Sequence, residues 1–239
     1  MLLFYIRHGD PIYENDSLTP LGERQAEAVA RRLAMHGIDE IYASTSTRAQ
    51  LTARPTAEIL KKDIKLLDFC NEKYAWQEFA FDDGNKYSWI FQKTPYKRLL
   101  AGNEIAESGD KWYDHPELKK HKFKDGVSRI NRELDKFIAE LGYEHDREQR
   151  LYKAVSPNDK RIALFSHQGF GLAFLSSLLD IPYPIIANHF DICHSGMTVI
   201  EFYDEDGILI PKLLTVSNDS HIYRDGLPTN YNNSTTLKF

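Results

Sequence analysis

The chain has 239 residues, 42% of them hydrophobic and 12% aromatic, which suits one medium α/β domain and argues against disorder. A formal net charge of −5 gives no general electrostatic reason to bind nucleic acid, and no apolar stretch approaches the roughly 20 residues that span a bilayer. Cys70 and Cys193 are the only two cysteines, lie in apolar contexts without metal-ligand spacing, and imply no disulfide framework.

The chain opens on Leu2-Leu3-Phe4-Tyr5-Ile6, five apolar residues that read as a buried strand, then switches abruptly to Arg7-His8-Gly9. No charged leader or cleavage site precedes that strand, so a soluble cytoplasmic protein is expected. Residues 10–18 are polar and turn-rich. Thr19-Pro20 then opens a helix, threonine as N-cap and proline at the first helical position, and Ala26, Val29, Ala30 and Leu33 recur at helical spacing before Gly37. Residues 40–43 form a short second strand, and a polar turn at 44–47 leads into a second helix to about Leu60, with Pro55 expected to kink it or shift its start. Residues 64–69 suit a third strand. The segment 70–126 lacks clean periodicity, is rich in Trp, Tyr and Phe, and reads as an insertion of short helices and loops. Val127, Ile130, Leu134, Phe137, Ile138 and Leu141 make an apolar helical stripe, and residues 151–159 read as a connecting loop. A buried strand over 161–165 ends in Ser166-His167, a helix follows over 169–179, and 198–202 with 209–216 suggest a β-hairpin. Strands alternating with helices predict a three-layer αβα sandwich on a mainly parallel sheet. The whole of 1–239 is expected to be one domain carrying a largely helical insertion at about 70–126.

Two of these strands end in histidine. If they are parallel neighbours, His8 and His167 reach one rim of the sheet, where open α/β folds bind ligands. The second strand ends close to Arg48, at the start of its helix, so the rim would carry Arg7, His8, Arg48 and His167 with helix N-termini aimed at the same space. A histidine after a strand is by itself most often structural. Two arginines and two histidines converging, with no cysteine nearby, suit a phosphate dianion better than zinc.

The order of the motifs adds a second line of argument. Phe4-Tyr5-Ile6-Arg7-His8-Gly9, then Leu18-Thr19-Pro20-Leu21-Gly22-Glu23-Arg24-Gln25-Ala26, then Tyr42-Ala43-Ser44 with Arg48-Ala49 and Thr52-Ala53, and finally Ser166-His167-Gln168-Gly169 resemble the histidine phosphatase, or phosphoglycerate-mutase-like, superfamily. The likeness covers about the first 60 residues and 161–182; the insertion is outside it. It implies that His8 attacks phosphorus to form a phosphohistidine while Arg7, Arg48 and His167 hold the non-bridging oxygens. It also implies a carboxylic acid, in the segment after the third strand, that protonates the leaving alcohol; Glu72 is the first candidate and Glu78 its competitor. The usual pattern is broken at three places. Asp10-Pro11 follows Gly9, Gln168 replaces a common glycine, and Asn15 lies one position off the asparagine that would contact phosphate, for which it is the candidate here.

Other conspicuous residues take plainer readings. His189 and His194, near Cys193, are expected to be packing or loop histidines, and no metal or other cofactor is expected. Trp76, Trp89 and Trp112 with Tyr74, Tyr87 and Tyr113 suit core or lid packing, and the lysine run at 119–124 a solvated face. The aromatic, mixed-charge insertion does not match the long insertion of phosphoglycerate mutases and fits a bulkier or less polar leaving group. The expectation is therefore a metal-independent phosphatase acting on a small-molecule phosphate monoester, without nucleic-acid or membrane partner and with the oligomeric state open. A mutase and a non-catalytic phosphate-binding or protein-binding module on the same scaffold are the alternatives.

Overall fold

The computed structural model describes residues 1–84, 86–231 and 236–237. In chain order its elements are β1 (Leu2–Arg7), β2 (Pro11–Ile12), β3 (Ser17–Leu18), α1 (Pro20–His36), β4 (Glu40–Ser44), α2 (Thr47–Leu60), β5 (Ile64–Leu67), α3 (Glu72–Phe79), β6 (Ala80–Asp82), β7 (Tyr87–Trp89), α4 (Thr94–Leu100) and α5 (Asn103–Ser108). They continue with α6 (Phe123–Glu140), β8 (Tyr143–Asp146), β9 (Leu151–Ala154), β10 (Arg161–Ser166), α7 (Gln168–Leu179), α8 (Tyr183–His189), β11 (Met197–Glu201), β12 (Asp204–Glu205), β13 (Ile208–Leu209), β14 (Lys212–Asn218), α9 (Ser220–Arg224), β15 (Thr229–Asn230) and β16 (Thr236–Leu237). The fold is mixed α/β, built on a mainly parallel sheet.

The chain divides into two compact units, one formed by Met1–Asn71, Pro157–Gln168 and Asp191–Phe239, the other by Glu72–Ser156 and Gly169–Phe190. The second takes in the segment expected as an insertion and extends past it to α8.

The first unit holds the six-stranded sheet, in the order β14-β11-β1-β10-β4-β5. β1, β10, β4 and β5 run parallel, and β11 and β14 close one side antiparallel. The central strands are buried on both faces, which is why β1 and β10 read as continuous apolar runs and not as alternating ones. Alternate residues Phe4 and Ile6, with Ile41, Ala43, Ala163 and Phe165, pack in one cluster with Val29 and Leu33 of α1 and Ala53 and Ala57 of α2. α1 begins as its sequence requires: Thr19 Oγ1 accepts from the Gly22 N–H, Pro20 occupies the first turn, and Gly37 ends the helix at φ 73°. α2 runs through Pro55 as one helix starting at Thr47.

The second unit is mostly helical around an aromatic core in which Phe79 lies 4.6 Å and Trp112 5.6 Å, centroid to centroid, from Tyr183. It also contains the hairpin β6–β7 within the expected insertion. Residues 151–159 are not simply a loop: β9 pairs antiparallel with β8, in register Tyr143↔Ala154. Neither strand has an apolar run to announce it. The pair is held by inward groups on alternate positions, with the His145 ring stacked 4.0 Å from Tyr152.

Candidate active site

The rim is a consequence of register. β1 and β10 are parallel and Arg7 stands opposite Ser166, so the next residues of each strand, His8 and His167, emerge side by side. The His8 N–H donates to the Ser166 carbonyl at 2.9 Å, the Tyr5 hydroxyl donates to the His167 carbonyl, and the two imidazole rings meet edge-on at 5.2 Å. The turn after His8 is only possible with glycine. A Cβ on Gly9 would lie 2.6 Å from the carbonyl oxygen of Gly22 in α1, so the motif glycines at 9 and 22 reflect one backbone contact. Gly9 N–H donates to Thr52 Oγ1 at 3.0 Å, and that hydroxyl donates to the Arg48 carbonyl at 2.8 Å, tying the turn after His8 to the first turn of α2.

Both arginines converge on the histidines. Arg7, 2% exposed, donates from Nη1 to the Ile192 carbonyl at 2.6 Å and from Nη2 to His194 Nε2 at 2.6 Å. Arg48 donates from Nη2 to His167 Nδ1 at 3.0 Å and from Nη1 to Asp16, with its guanidinium 5.5 Å from the Tyr13 ring centroid. Its Nε is buried and has no hydrogen-bond partner among the described residues. Asp16 also accepts from Ser46 Oγ at 2.8 Å and from the Thr47 N–H at 2.6 Å. It thereby caps the positive end of α2 in place of Ser46, whose own side chain makes no cap.

The protonation pattern follows from this enclosure. Burial, then the neighbouring His167, Arg7, Arg48 and His194, hold the His8 pKa well below the ordinary histidine value. The neutral ring donates Nδ1–H to the Gly9 carbonyl at 2.7 Å, which leaves the lone pair on Nε2. His167 is likewise held neutral by burial and by Arg48 and Arg7. It accepts from Arg48 at Nδ1, so its proton is on Nε2 and is donated to Ser44 Oγ at 2.9 Å. The result is a pocket of two fixed positive charges and two neutral imidazoles, one presenting a lone pair. Such a group can hold a dianion and attack it.

The match of a family model settles the lineage: that of the histidine phosphatase superfamily, branch 1, matches residues 3–211. The chain belongs to the histidine phosphatase superfamily. Membership makes it an enzyme of the phosphatase and phosphotransferase type. No curated protein matches it in sequence. Among solved structures, it is similar to a mutant phosphoserine phosphatase from Entamoeba histolytica in complex with phosphoserine, at 21% identity, TM-score 0.58 and coverage of 92% of this chain and 98% of that one. The same enzyme with 3-phosphoglyceric acid gives 20% identity, TM-score 0.58 and the same coverage. Mycobacterial glucosyl-3-phosphoglycerate phosphatase with inorganic phosphate gives 16% identity and TM-score 0.52, covering 92% and 98%. These likenesses show the shared fold.

Arg7, His8, Arg48 and His167 of this histidine phosphatase are thus gathered in one place. Asn15 is not gathered with them: it is exposed in the β2–β3 turn, with Oδ1 accepting from Ser17 Oγ at 2.6 Å, and the residue of that turn that touches Arg48 is Asp16. Glu72 opens α3 in the second unit. Its carboxylate accepts from the backbone N–H groups of Gly169, at 3.0 Å, and Phe170, at 2.9 Å, at the start of α7 and two residues along the chain from His167. A Cβ on Gly169 would lie 2.3 Å from the Trp89 ring, so glycine there admits an aromatic edge beside the same carboxylate. Glu78 is committed elsewhere, in a bidentate pair with Arg129 at 2.5 and 2.6 Å. Trp89 and Trp112 are buried, Trp76 and Tyr87 partly exposed. His189 is exposed at the end of α8. Among the described residues no group of three or more His, Cys, Asp or Glu side chains could hold a metal ion, and no helix is long and apolar enough to cross a membrane.

His194, read from the sequence as a packing or loop histidine, lies against Arg7 with its ring 5.7 Å from that of His8. β11 runs antiparallel to β1 with Met197 opposite Ile6, so the residues just before β11 must arrive at the rim where β1 ends.

Proposed function

We propose that the chain is a metal-independent phosphate monoester hydrolase that works through a phosphohistidine on His8. The observation that carries the reading is the neutral His8, its lone pair on Nε2, beside the buried Arg7, the partly buried Arg48 and His167. Nε2 attacks phosphorus; the P–N bond forms as the P–O bond to the leaving group breaks, and the electron pair leaves on that oxygen. Arg7, Arg48 and His167 hold the non-bridging oxygens, and the unpartnered Arg48 Nε is one donor to them. Glu72 gives the leaving oxygen its proton, then takes one from a water that attacks phosphorus, releasing orthophosphate and restoring His8. The bidentate pairing of Glu78 with Arg129 supports the choice of Glu72, whose orientation the Gly169 and Phe170 N–H groups fix. The arginines supply the positive charge that a metal supplies in other phosphatases.

The small-molecule substrate class rests on the family and on the phosphoserine and 3-phosphoglyceric acid bound by a similar phosphatase. Hydrolysis is favoured over mutase transfer because the similar solved structures are phosphatases. The test is a panel of phosphoserine, phosphoglycerates, sugar phosphates, nucleotides and p-nitrophenyl phosphate in excess chelator, with acid-labile, base-stable phosphate trapped on the protein after rapid quenching. Turnover and trapping should both vanish in a folded His8→Ala protein. Substantial turnover in that variant, or a strict need for added divalent metal, overturns the mechanism.

A further inference from the structure

We propose that His194, backed by Asp10, is a positioning residue for Arg7: it gives the guanidinium a neutral acceptor, so that the arginine is fixed while its charge stays available to phosphate. This rests on the phosphatase reading of the same pocket.

The geometry leaves little choice of proton positions. A guanidinium does not give up a proton, so at 2.6 Å from Arg7 Nη2 the Nε2 atom of His194 must be the acceptor. The ring proton is then on Nδ1, which lies 3.2 Å from Asp10 Oδ1, off the line of a straight hydrogen bond. Burial and the Arg7 charge push the His194 pKa down to about 4, so the ring is neutral at pH 7. Asp10 is anchored in turn: its Oδ2 accepts from Thr19 Oγ1 at 2.7 Å and its backbone N–H donates to Gln25 Oε1 at 2.8 Å. The N-cap of α1 is therefore linked through Asp10 and His194 to an arginine of the pocket.

The neutral spacer matters electrostatically. A carboxylate placed directly on a buried guanidinium would form a charge-assisted pair that competes with the incoming phosphate for the same donors. An imidazole occupies one donor without cancelling the charge, and passes the attraction of Asp10 on through its ring dipole. Arg48 is handled differently, since Asp16 pairs with it directly from a half-exposed turn. Arg7, at 2% exposure, has no water to screen a direct pair, and here the spacer is found.

Three substitutions separate the possibilities. His194→Gln places an amide oxygen within reach of Arg7 Nη2 and keeps charge neutrality; His194→Glu has the same shape and adds a charge; His194→Ala removes the acceptor. Steady-state kinetics with p-nitrophenyl phosphate, inhibition by inorganic phosphate and orthovanadate, and thermal melting are read for each. The Gln variant should retain kcat and the vanadate affinity within about threefold, and Ala should lose on the order of tenfold in kcat through the misplaced Arg7. Glu should weaken vanadate and phosphate on the order of 10²-fold while still melting cooperatively. If Ala fails to fold, the Gln and Glu variants, equal in shape, carry the comparison alone. Equal vanadate affinity in folded Gln and Glu variants, or a Gln variant as impaired as Ala, overturns the proposal. A wild-type protein that traps no phosphate on His8 and ignores vanadate removes the phosphatase reading and this inference together. A wild type that does both while Gln and Glu behave alike removes only the inference.

Discussion

Lowering the pH from 6.5 to 5.0 should cost the folded chain stability, because several buried histidines are held neutral. His194 and His221 are each pushed down to about 4, chiefly by burial and then by Arg7 and Arg32 respectively, whereas their unfolded counterparts titrate at 6.5. A group whose folded pKa is depressed contributes stability that is complete above its unfolded pKa and is lost as the pH falls below it, since only the unfolded chain then takes up the proton. Across this window each of the two loses somewhat more than 1 kcal/mol, about 3 kcal/mol together. His8 and His167 are displaced in the same direction by burial and the neighbouring positive groups, and add to the loss. His145 has the opposite sign. Its pairs with Asp135 and Asp180 raise its pKa against burial, so its contribution is present throughout this window and is lost only at higher pH. The carboxylates held low by hydrogen bonds, Asp10 and Asp16 among them, begin to matter only toward the acid end and act in the same direction as the pocket histidines.

Urea unfolding at pH 6.5, 6.0, 5.5 and 5.0, followed by circular dichroism at constant ionic strength, measures the slope. Below pH 6 it should correspond to two or more protons taken up on unfolding, against a typical total stability of about 5–15 kcal/mol. A stability that is flat within about 1 kcal/mol, or that rises as the pH falls, refutes the neutral-histidine account and with it the tautomers assigned to His8 and His167.

Two further outcomes are expected. Arg7→Lys and Arg48→Lys should each lower kcat by on the order of 10²-fold, because an ammonium reproduces neither the Arg7 contacts to Ile192 and His194 nor the Arg48 fork between Asp16 and His167; near-normal steady-state rates in both would place the pocket elsewhere. Glu72→Gln should slow alkyl phosphate hydrolysis by about 10²–10⁴-fold and spare the phosphoenzyme burst from p-nitrophenyl phosphate, whose leaving group needs no proton; rapid-quench kinetics showing normal alkyl turnover, lost instead in Glu78→Gln, would move the acid to Glu78.

What the sequence revealed was what is local or what parallel register enforces. The apolar run of β1, the Thr19-Pro20 cap of α1 and the strand ending at His167 are each stated by adjacent residues, and parallel pairing then brings Arg7, His8 and His167 together. Asp16 and His194 were not legible in that way. Asp16 reaches α2 from a turn thirty-one residues before Thr47, in a left-handed conformation at φ 52°, and its polar neighbours read as ordinary loop. His194 reaches Arg7 across 187 positions, and a histidine beside a cysteine gives no hint that an arginine is its partner. The hairpin of β8 and β9 escaped for a different reason. Its strands bury one face through Tyr143, His145 and Tyr152 and carry charge on the other, so period-2 alternation is short and mixed with polar residues.

The same electrostatics connects acid sensitivity to catalysis. The buried Arg7 and the partly buried Arg48, whose charge Asp16 partly offsets, stand with nearby neutral imidazoles as a local positive cluster in a chain whose formal net charge is −5. A phosphate dianion entering it would offset the positive charge that, after burial, holds the pKa values of His8 and His167 down, and the energy of a protonated imidazole would fall accordingly. By linkage, phosphate bound as proposed would take up protons at acid pH, and at equal concentration of the dianion it would stabilise the fold more at pH 5.5 than at pH 7.5. Attack as proposed has the opposite requirement, because only a neutral His8 has a lone pair on Nε2 to offer. A pocket that bound phosphate through protonated histidines would hold its substrate more tightly and attack it less. In the proposed mechanism, permanent charge on Arg7 and Arg48, which cannot titrate in this range, would separate binding from attack and leave His8 free to react.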